Sequence, residues 1–118
     1  TDLTLEGDKK QLKRLAIILI DNACKYAKPH SDILIRLIKK EKRIIFSVTS
    51  MGAPIDEDCA KRIFERFVRE SKSRSRDSQG GYGLGLAIAK SITESHNGKI
   101  YWRNFEDKGN TFVVELQA

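Results

Sequence analysis

Cysteine, proline, tryptophan and long apolar runs are all scarce in this sequence. The 118 residues include two cysteines, two prolines and one tryptophan. Cys24 and Cys59 show no CxxC spacing and are too few for a disulfide-stabilised scaffold, so we expect small packed side chains in a reducing interior. The longest apolar run ends at Ile20 and is far shorter than the roughly 18 residues that a membrane-spanning helix needs. These absences exclude zinc-finger, disulfide-scaffold, collagen-like and membrane-spanning proteins.

The balance of apolar and charged residues is typical of a single globular domain. Hydrophobic residues make up 40% of the chain and charged residues 32%, which is unlike a disordered segment. The length fits one domain, and we assign residues 1–118 to it. The chain begins at Thr1, without an initiator methionine and without the basic start and apolar stretch of a secretion signal. We therefore expect a fragment of a longer protein.

The net charge favours anionic partners without selecting one. There are 22 Lys and Arg residues against 16 Asp and Glu, a formal net charge of +6, and the pI is about 9.4. Nucleic acid, a membrane surface and a phosphorylated small molecule all remain compatible with this balance. The basic residues cluster in three separate groups, at residues 9–14, 39–43 and 66–76, and each group is equally typical of a solvated face.

The apolar periodicity predicts strands and helices in mixed order. A short strand over residues 3–5 precedes a long helix over 8–28, which Asp8 caps and Pro29 ends. A hairpin follows over 33–38 and 44–49, with a charged turn between its strands. Further helices are expected over 58–67 and 84–95, and further strands over 99–103 and 112–116. This order predicts an α+β fold in which helices cover one face of a mixed sheet.

A glycine-rich segment at residues 80–85 stands directly before the last predicted helix. Glycines at a helix start let backbone N–H groups approach an anion, which the positive end of the helix also attracts. The segment is not a dinucleotide-binding fingerprint because no strand leads into it, and no P-loop Gly-Lys-Ser/Thr follows. From its spacing alone, a phosphate-binding loop and a flexible hinge both remain open.

Three polar residues share one face of the first predicted helix. Asn22, Lys25 and Tyr26 lie three and four residues apart. One amide oxygen from Asn22 suits Mg²⁺, a hard cation that keeps phosphate ligands. Lys25 can neutralise phosphate, and Tyr26 offers a flat face to a base. The alternative is a helix end that surfaces, with Lys25 extended into solvent.

Three blocks in this order carry a family resemblance. They are Ile20-Asp21-Asn22-Ala23-Cys24-Lys25-Tyr26, Ile63-Phe64-Glu65-Arg66-Phe67 and Gly81-Tyr82-Gly83-Leu84-Gly85-Leu86-Ala87-Ile88. They resemble the asparagine box, the phenylalanine box and the second glycine box of the catalytic and ATP-binding domain of bacterial sensor histidine kinases. That domain belongs to the superfamily that includes gyrase and the Hsp90 chaperones (GHKL). The resemblance implies a two-layer α/β sandwich, the Bergerat ATP-binding fold, with three helices on one face of a mixed sheet.

The resemblance also implies roles for individual residues. Asn22 would ligate Mg²⁺, while Lys25 and Arg69 would contact the phosphates, so these three would carry the catalysis. Tyr26 would line the adenine pocket, and the polar stretch 70–80 would close over the nucleotide as a lid. Further nucleotide contacts are implied for Ser50, Gly52, Ile55, Phe64, Phe67, Gly81, Tyr82, Gly83, Leu84, Gly85, Leu86 and Thr111.

The implied reaction moves the γ-phosphoryl group of ATP·Mg²⁺ to a histidine on a separate helical dimerisation segment of the same kinase. Relay to an aspartate in the receiver domain of a response regulator would follow. Neither His30 nor His96 stands beside an acid on a predicted helix, so neither is expected to be the acceptor. Ile18 stands where hydrolytic members of the superfamily carry a glutamate that activates water. We expect no nucleic acid partner, no membrane contact by this domain, and a cytoplasmic location whether or not the parent protein is an inner-membrane sensor.

The first glycine box departs from the family pattern Asp-x-Gly-x-Gly. The matching residues keep Gly52, but Ser50 replaces the acid and Pro54 replaces the second glycine. In relatives the acid accepts a hydrogen bond from the adenine amino group, and such a bond is worth roughly 1.5–3 kcal/mol, or about 10- to 100-fold in affinity. Two interpretations follow: a working kinase domain with modest ATP affinity, or a degenerate scaffold domain that binds nucleotide weakly.

Overall fold

A computed structural model describes residues 8–60, 62–65 and 84–117. The side chain of Leu84 is outside this description. In chain order the elements are α1 (Lys9–Tyr26), β1 (Ile33–Lys40), β2 (Arg43–Met51), α2 (Glu57–Ala60), α3 (Leu84–Ser95), β3 (Lys99–Phe105) and β4 (Gly109–Gln117).

The long first helix begins and ends close to the predicted positions. The Asp8 carboxylate accepts hydrogen bonds from the backbone N–H of Lys10 at 3.0 Å and of Gln11 at 3.2 Å, which satisfies two of the donors that a helix start leaves unpaired. The helix stops at Tyr26, and Ala27 is already extended. Proline disfavours helical geometry in the residue before it, so Pro29 keeps Lys28 out of the helix, which ends one residue earlier still.

The described strands form one antiparallel sheet in the order β1-β2-β4-β3. The predicted hairpin is present as β1 and β2, and β3 and β4 form a second hairpin. β4 then pairs with β2, also antiparallel. The α+β class and its layered helices are confirmed, but the described strands are antiparallel rather than mixed because hairpins supply two of the three pairings. The predicted strand at residues 3–5 lies outside the described residues.

The core lies between the helices and one face of the sheet. Leu19 from α1, Leu86 from α3, and Val48 and Val114 from the two central strands are all at most 1% exposed and belong to one cluster. Side chains alternate between the faces of a strand, so Asn110 and Phe112 face the helices while Thr111 faces away. Both helices therefore stand on the same side of the sheet, and residues at the ends of β2 and β4 lie next to the end of α1.

The predicted helix over residues 58–67 is not continuous through the described part of this range. The residues up to Ala60 belong to α2, whereas the described residues 62–65 form turns and a bend. Backbone hydrogen bonds here join residues three apart, as from Arg62 N–H to the Cys59 carbonyl at 3.0 Å. This tighter winding accompanies the packing of two consecutive side chains: Ile63 is fully buried, and Phe64 meets Phe112 edge-on with ring centroids 6.1 Å apart. Tertiary burial therefore overrides the helical spacing.

His96 joins the end of α3 to the start of α1. Its Nε2 accepts a hydrogen bond from the Asp8 backbone N–H at 3.1 Å, and its Nδ1 lies 2.9 Å from the Ile92 carbonyl. His30 is exposed, with a positive φ of 61°. Within the described ranges, no helix combines the length and the apolar content that crossing a membrane requires.

Candidate functional site

A cleft of about 140 Å³ opens between the last turns of α1 and the first turn of α3. Because four of its lining residues lie three or four positions apart, they share one face of α1. Two residues near the start of α3 close the other side. We call this the α1–α3 cleft; it is lined by Ile18, Asp21, Asn22, Lys25, Gly85 and Leu86.

Asn22 is the buried polar residue of this cleft. It is 8% exposed, whereas Lys25, one turn further along, and Asp21 are exposed. The cleft therefore presents an amide, an ammonium and a carboxylate on one helix face, above the buried Leu86. The family resemblance pointed to Asn22 and Lys25 but not to Asp21, which lies three positions after Ile18 and four before Lys25 and therefore borders the same cleft.

Gly85 keeps the cleft open on the α3 side. A Cβ added there would stand 3.6 Å from the Cγ2 atom of Ile18, an ordinary van der Waals contact that would fill the space between the two helices. The structure thus brings Gly85 and Leu86 of the second glycine box to Asn22 and Lys25 of the asparagine box. Ile18 supplies only hydrocarbon to this cleft, as the sequence predicts.

A larger cleft of about 800 Å³ lies at the C-terminal end of α1. Tyr26 lines it together with the loop that follows β2 and the turn between β3 and β4. Since Tyr26 directly follows Lys25, the last turn of α1 borders both clefts. We call this the loop cleft; its lining is Tyr26, Lys28, Ser31, Met51, Gly52, Ala53, Pro54, Asp107 and Lys108.

Gly52 holds the loop against the helix end. Its φ of 154° favours glycine, and an added Cβ would meet the Tyr26 carbonyl oxygen at 3.1 Å. The Lys28 N–H donates to the Met51 carbonyl at 2.7 Å, and the Gly52 N–H donates to the Lys108 carbonyl at 2.8 Å. The one glycine that the first box retains is therefore the position where a side chain would push the loop away from α1.

Ser50 and Ile55 lie at the two ends of this loop and are both buried, at 5% and 4% exposure. Ser50 is the last residue of β2 whose side chain faces the helices, and it pairs with Asn110 of the neighbouring strand β4. Asn110, at 6% exposure, bonds the loop directly: its Oδ1 accepts from the Ile55 N–H at 2.8 Å. Sequence reasoning did not single out Asn110.

The structure does not bring Thr111 to either cleft. Its hydroxyl lies 2.8 Å from that of Thr49, on the sheet face opposite to the helices. Asn110, one position earlier in β4, faces the site instead. Neighbouring residues of a strand face opposite sides of the sheet, so the implied nucleotide contact of Thr111 is not supported by its position and stays a prediction.

The remaining predicted residues divide into packed and undescribed ones. Phe64 is half-buried against Phe112 and belongs to the edge of the core. The backbone of Leu84 begins α3, as predicted. The lid at 70–80 also lies outside the described residues, and so do Phe67, Arg69, Gly81, Tyr82 and Gly83.

Two groups with perturbed pKa values lie on the open face of the sheet, away from the clefts. A hydrogen bond from the Tyr101 hydroxyl, at 2.5 Å, is the main reason that the pKa of Glu115 is lowered, and the nearby Arg43 acts in the same direction. Burial raises the pKa of Tyr101, and the Glu115 carboxylate raises it further. Both pKa shifts therefore arise from a contact between β3 and β4 and relate to the stability of the sheet, not to the clefts.

The donor set near Asn22 fits a metal that brings its own ligands. Among the residues that the structure describes, no three His, Cys, Asp or Glu side chains are grouped to hold a metal ion. The α1–α3 cleft offers one amide oxygen from Asn22 and one nearby carboxylate from Asp21. Mg²⁺ typically takes one or two protein oxygens and completes its shell with phosphate and water. The cleft therefore suits Mg²⁺ delivered with a phosphate ligand.

Comparison with known proteins places this geometry in a family. Residues 7–118 match the family described as "Histidine kinase-, DNA gyrase B-, and HSP90-like ATPase". The signal transduction histidine-protein kinase ArlS of Staphylococcus aureus (strain USA300) is 43% identical over 119 residues, which cover 97% of this chain and 26% of ArlS. The chain thus spans about a quarter of the length of the curated relatives it matches.

Solved structures agree with this match. The nucleotide-free catalytic domain of histidine kinase ThkA superposes with a TM-score of 0.83 at 32% identity, over 98% of this chain and 73% of that one. Full-length ShkA in complex with AMPPNP gives a TM-score of 0.76 at 26% identity, over 94% of this chain and 23% of ShkA. The chain belongs to the histidine kinase-, DNA gyrase B- and HSP90-like ATPase family, and the predicted catalytic and ATP-binding domain of a sensor histidine kinase is confirmed.

Proposed function

We propose that this domain binds ATP·Mg²⁺ and donates the γ-phosphoryl group to a histidine outside residues 1–118, for relay to an aspartate of a response-regulator receiver domain. The acceptor is expected on the dimerisation helices of the same kinase. The observation that carries the proposal is the α1–α3 cleft, in which the asparagine box meets the second glycine box. The solved complex of the similar kinase ShkA with AMPPNP supports nucleotide as the ligand.

In this proposal the domain positions the phosphates and neutralises their charge. Asn22 offers its amide oxygen to Mg²⁺, and the ammonium of Lys25 balances the charge of the phosphate oxygens. Bound Mg²⁺ supplies positive charge that stabilises the transferring phosphoryl group. Ile18 supplies no base at the position where hydrolytic members of the superfamily carry a glutamate, which agrees with transfer to an incoming nucleophile rather than to water. Arg69, Gly81 and Gly83 remain predicted phosphate contacts, and the cytoplasmic location also remains a prediction.

The test uses the longer kinase that contains this chain, in an autophosphorylation assay with γ-labelled ATP. Asn22→Ala removes the metal-binding amide, and we expect phosphoryl transfer to fall at least about 100-fold. Asn104→Ala is the matched control because the Asn104 side chain is exposed, at the end of β3, where it bonds to Asp107 in the following turn. Transfer by Asn22→Ala at the rate of the control would contradict the assigned role.

A second function, a scaffold domain that binds nucleotide poorly, is favoured by one feature. Ser50 replaces the acid that would select adenine, and its side chain is buried at the loop. Calorimetric titration with ATP·Mg²⁺ distinguishes the two functions. Heat of binding that saturates below millimolar nucleotide supports the kinase domain, and no binding at millimolar nucleotide supports the scaffold.

A further inference from the structure

The side chain of Asn110 forms three hydrogen bonds at the second position of β4. Its Oδ1 accepts from the backbone N–H of Ile55 and from the indole N–H of Trp102, both at 2.8 Å. Its Nδ2 donates to the Ala53 carbonyl at 3.1 Å. The residue is 6% exposed, so these bonds lie in a place where an unpaired amide would be costly. Asn110 therefore joins β4, β3 and the loop after β2.

The partners fix the orientation of this amide. The Ile55 and Trp102 groups can only donate, so they require the oxygen, whereas the Ala53 carbonyl can only accept and requires the NH₂ group. The two loop partners stand on either side of Pro54, which has no N–H of its own. One side-chain amide thus bonds the backbone on both sides of the proline, as a neighbouring strand would do.

The loop so held is a wall of the loop cleft. Met51, Gly52, Ala53 and Pro54 line this cleft together with Tyr26, the residue for which the family resemblance implies contact with adenine. Two residues that would shape the usual loop, an acid and a second glycine, are replaced here by Ser50 and Pro54. The bonds from Asn110 fix this loop at Ala53 and Ile55, in addition to the backbone bonds of Met51 and Gly52.

We propose that Asn110 is a positioning residue that shapes the base end of the nucleotide site, with Trp102 holding its amide in place. This inference rests on the proposed function, because it assigns the loop cleft to the base of the bound nucleotide. It predicts that Asn110 affects the recognition of the base and leaves the recognition of the phosphates, which bind in the α1–α3 cleft, nearly unchanged.

Calorimetry on the 118-residue chain tests the proposal with two ligands, ATP·Mg²⁺ and inorganic triphosphate with Mg²⁺. Asn110→Asp keeps the size and both acceptor contacts but turns an oxygen toward the Ala53 carbonyl. We expect ATP to bind about tenfold more weakly, the equivalent of one lost hydrogen bond, and triphosphate to change less than about twofold. The matched control is Thr49→Val, which removes the hydrogen bond between the Thr49 and Thr111 hydroxyls on the opposite face of the sheet and should change neither affinity.

Unchanged ATP affinity in Asn110→Asp would overturn the proposal, and so would an equal loss for ATP and triphosphate, because a merely structural role weakens both ligands together. Trp102→Phe adds a graded variant: it removes one donor to the amide and should weaken ATP by less than Asn110→Asp. A larger loss for Trp102→Phe than for Asn110→Asp would contradict the order of contacts described here.

A measurement without nucleotide separates this inference from the proposed function. Hydrogen exchange of the Ile55 amide should be about tenfold faster in Asn110→Ala than in the unsubstituted chain, with the Leu19 amide of α1 unchanged. An unchanged Ile55 rate would show that Asn110 does not hold the loop. If Ile55 behaves as expected but the unsubstituted chain binds no ATP, the proposed function fails and the assignment of the loop to the base fails with it, while the contact itself stands.

Discussion

Restoring an acid at Ser50 should tighten ATP binding and at the same time destabilise the domain without nucleotide. Ser50 is 5% exposed, on the helix-facing side of β2. A carboxylate there gains a hydrogen bond from the adenine amino group, roughly 1.5–3 kcal/mol or about 10- to 100-fold in affinity. Before nucleotide binds, the same carboxylate is buried, and the amide of the neighbouring Asn110 already forms hydrogen bonds with Ile55 and Ala53 of the loop. Its poor solvation should cost about 1–3 kcal/mol of unfolding free energy.

The assay is calorimetric titration of Ser50→Asp with ATP·Mg²⁺ and with GTP·Mg²⁺, alongside denaturant unfolding of the apo chain. The preference for ATP should rise because guanine presents an acceptor oxygen where adenine presents an amino group. Ser47→Asp is the matched control, since Ser47 lies on the same strand but on the opposite face, between Arg36 and Val113. The reasoning is refuted if Ser50→Asp stays folded and binds ATP no more tightly, or if the control tightens binding equally.

Two further predictions concern stability. Leu19→Ala should lower the free energy of unfolding by about 2–5 kcal/mol because Leu19 is fully buried. Ile17→Ala is the control: this position is 55% exposed, and the change should be less than about 0.5 kcal/mol. Equal losses for the two variants in denaturant unfolding would contradict the described core. Tyr101→Phe removes the bond that lowers the pKa of Glu115 and should cost about 1 kcal/mol at neutral pH. Because the pKa of Glu115 is lowered in the folded state, the bond stabilises the fold at a pH above the unfolded-state pKa and loses this effect as the pH falls through the folded-state pKa. The cost of Tyr101→Phe should therefore disappear below about pH 4. A cost that does not change with pH would refute this origin.

Local signals in the sequence were sufficient for much of the fold. The Asp8 cap and the Pro29 stop bound α1 within about two residues, because both act on backbone groups close in sequence. The hairpin of β1 and β2 was equally accessible, since its charged turn separates two β-branched runs. The helix predicted over 58–67 was wrong in its described part: the packing of Phe64 involves Phe112, about 50 positions away, which leaves no local signal.

The candidate site was predictable where function rests on one element and not where it depends on strand register. Asn22, Lys25 and Gly85 lie on helices whose periodicity is visible, and the structure brings them to one cleft. Thr111 is oriented away from the site, because β4 alternates its side chains and the family pattern did not fix which residue faces inward. The role of Asn110 depends on contacts with a loop 55 positions away, which carry no local signal.

The central claim, that the phosphates of a nucleotide bind between α1 and α3, is tested most directly by NMR titration of the chain with a non-hydrolysable ATP analogue and Mg²⁺. If the phosphates bind there, the largest backbone amide shifts within residues 8–60, 62–65 and 84–117 occur at Asn22, Lys25, Gly85 and Leu86. Shifts confined to the open face of the sheet around Tyr101, or none at millimolar analogue, would contradict it.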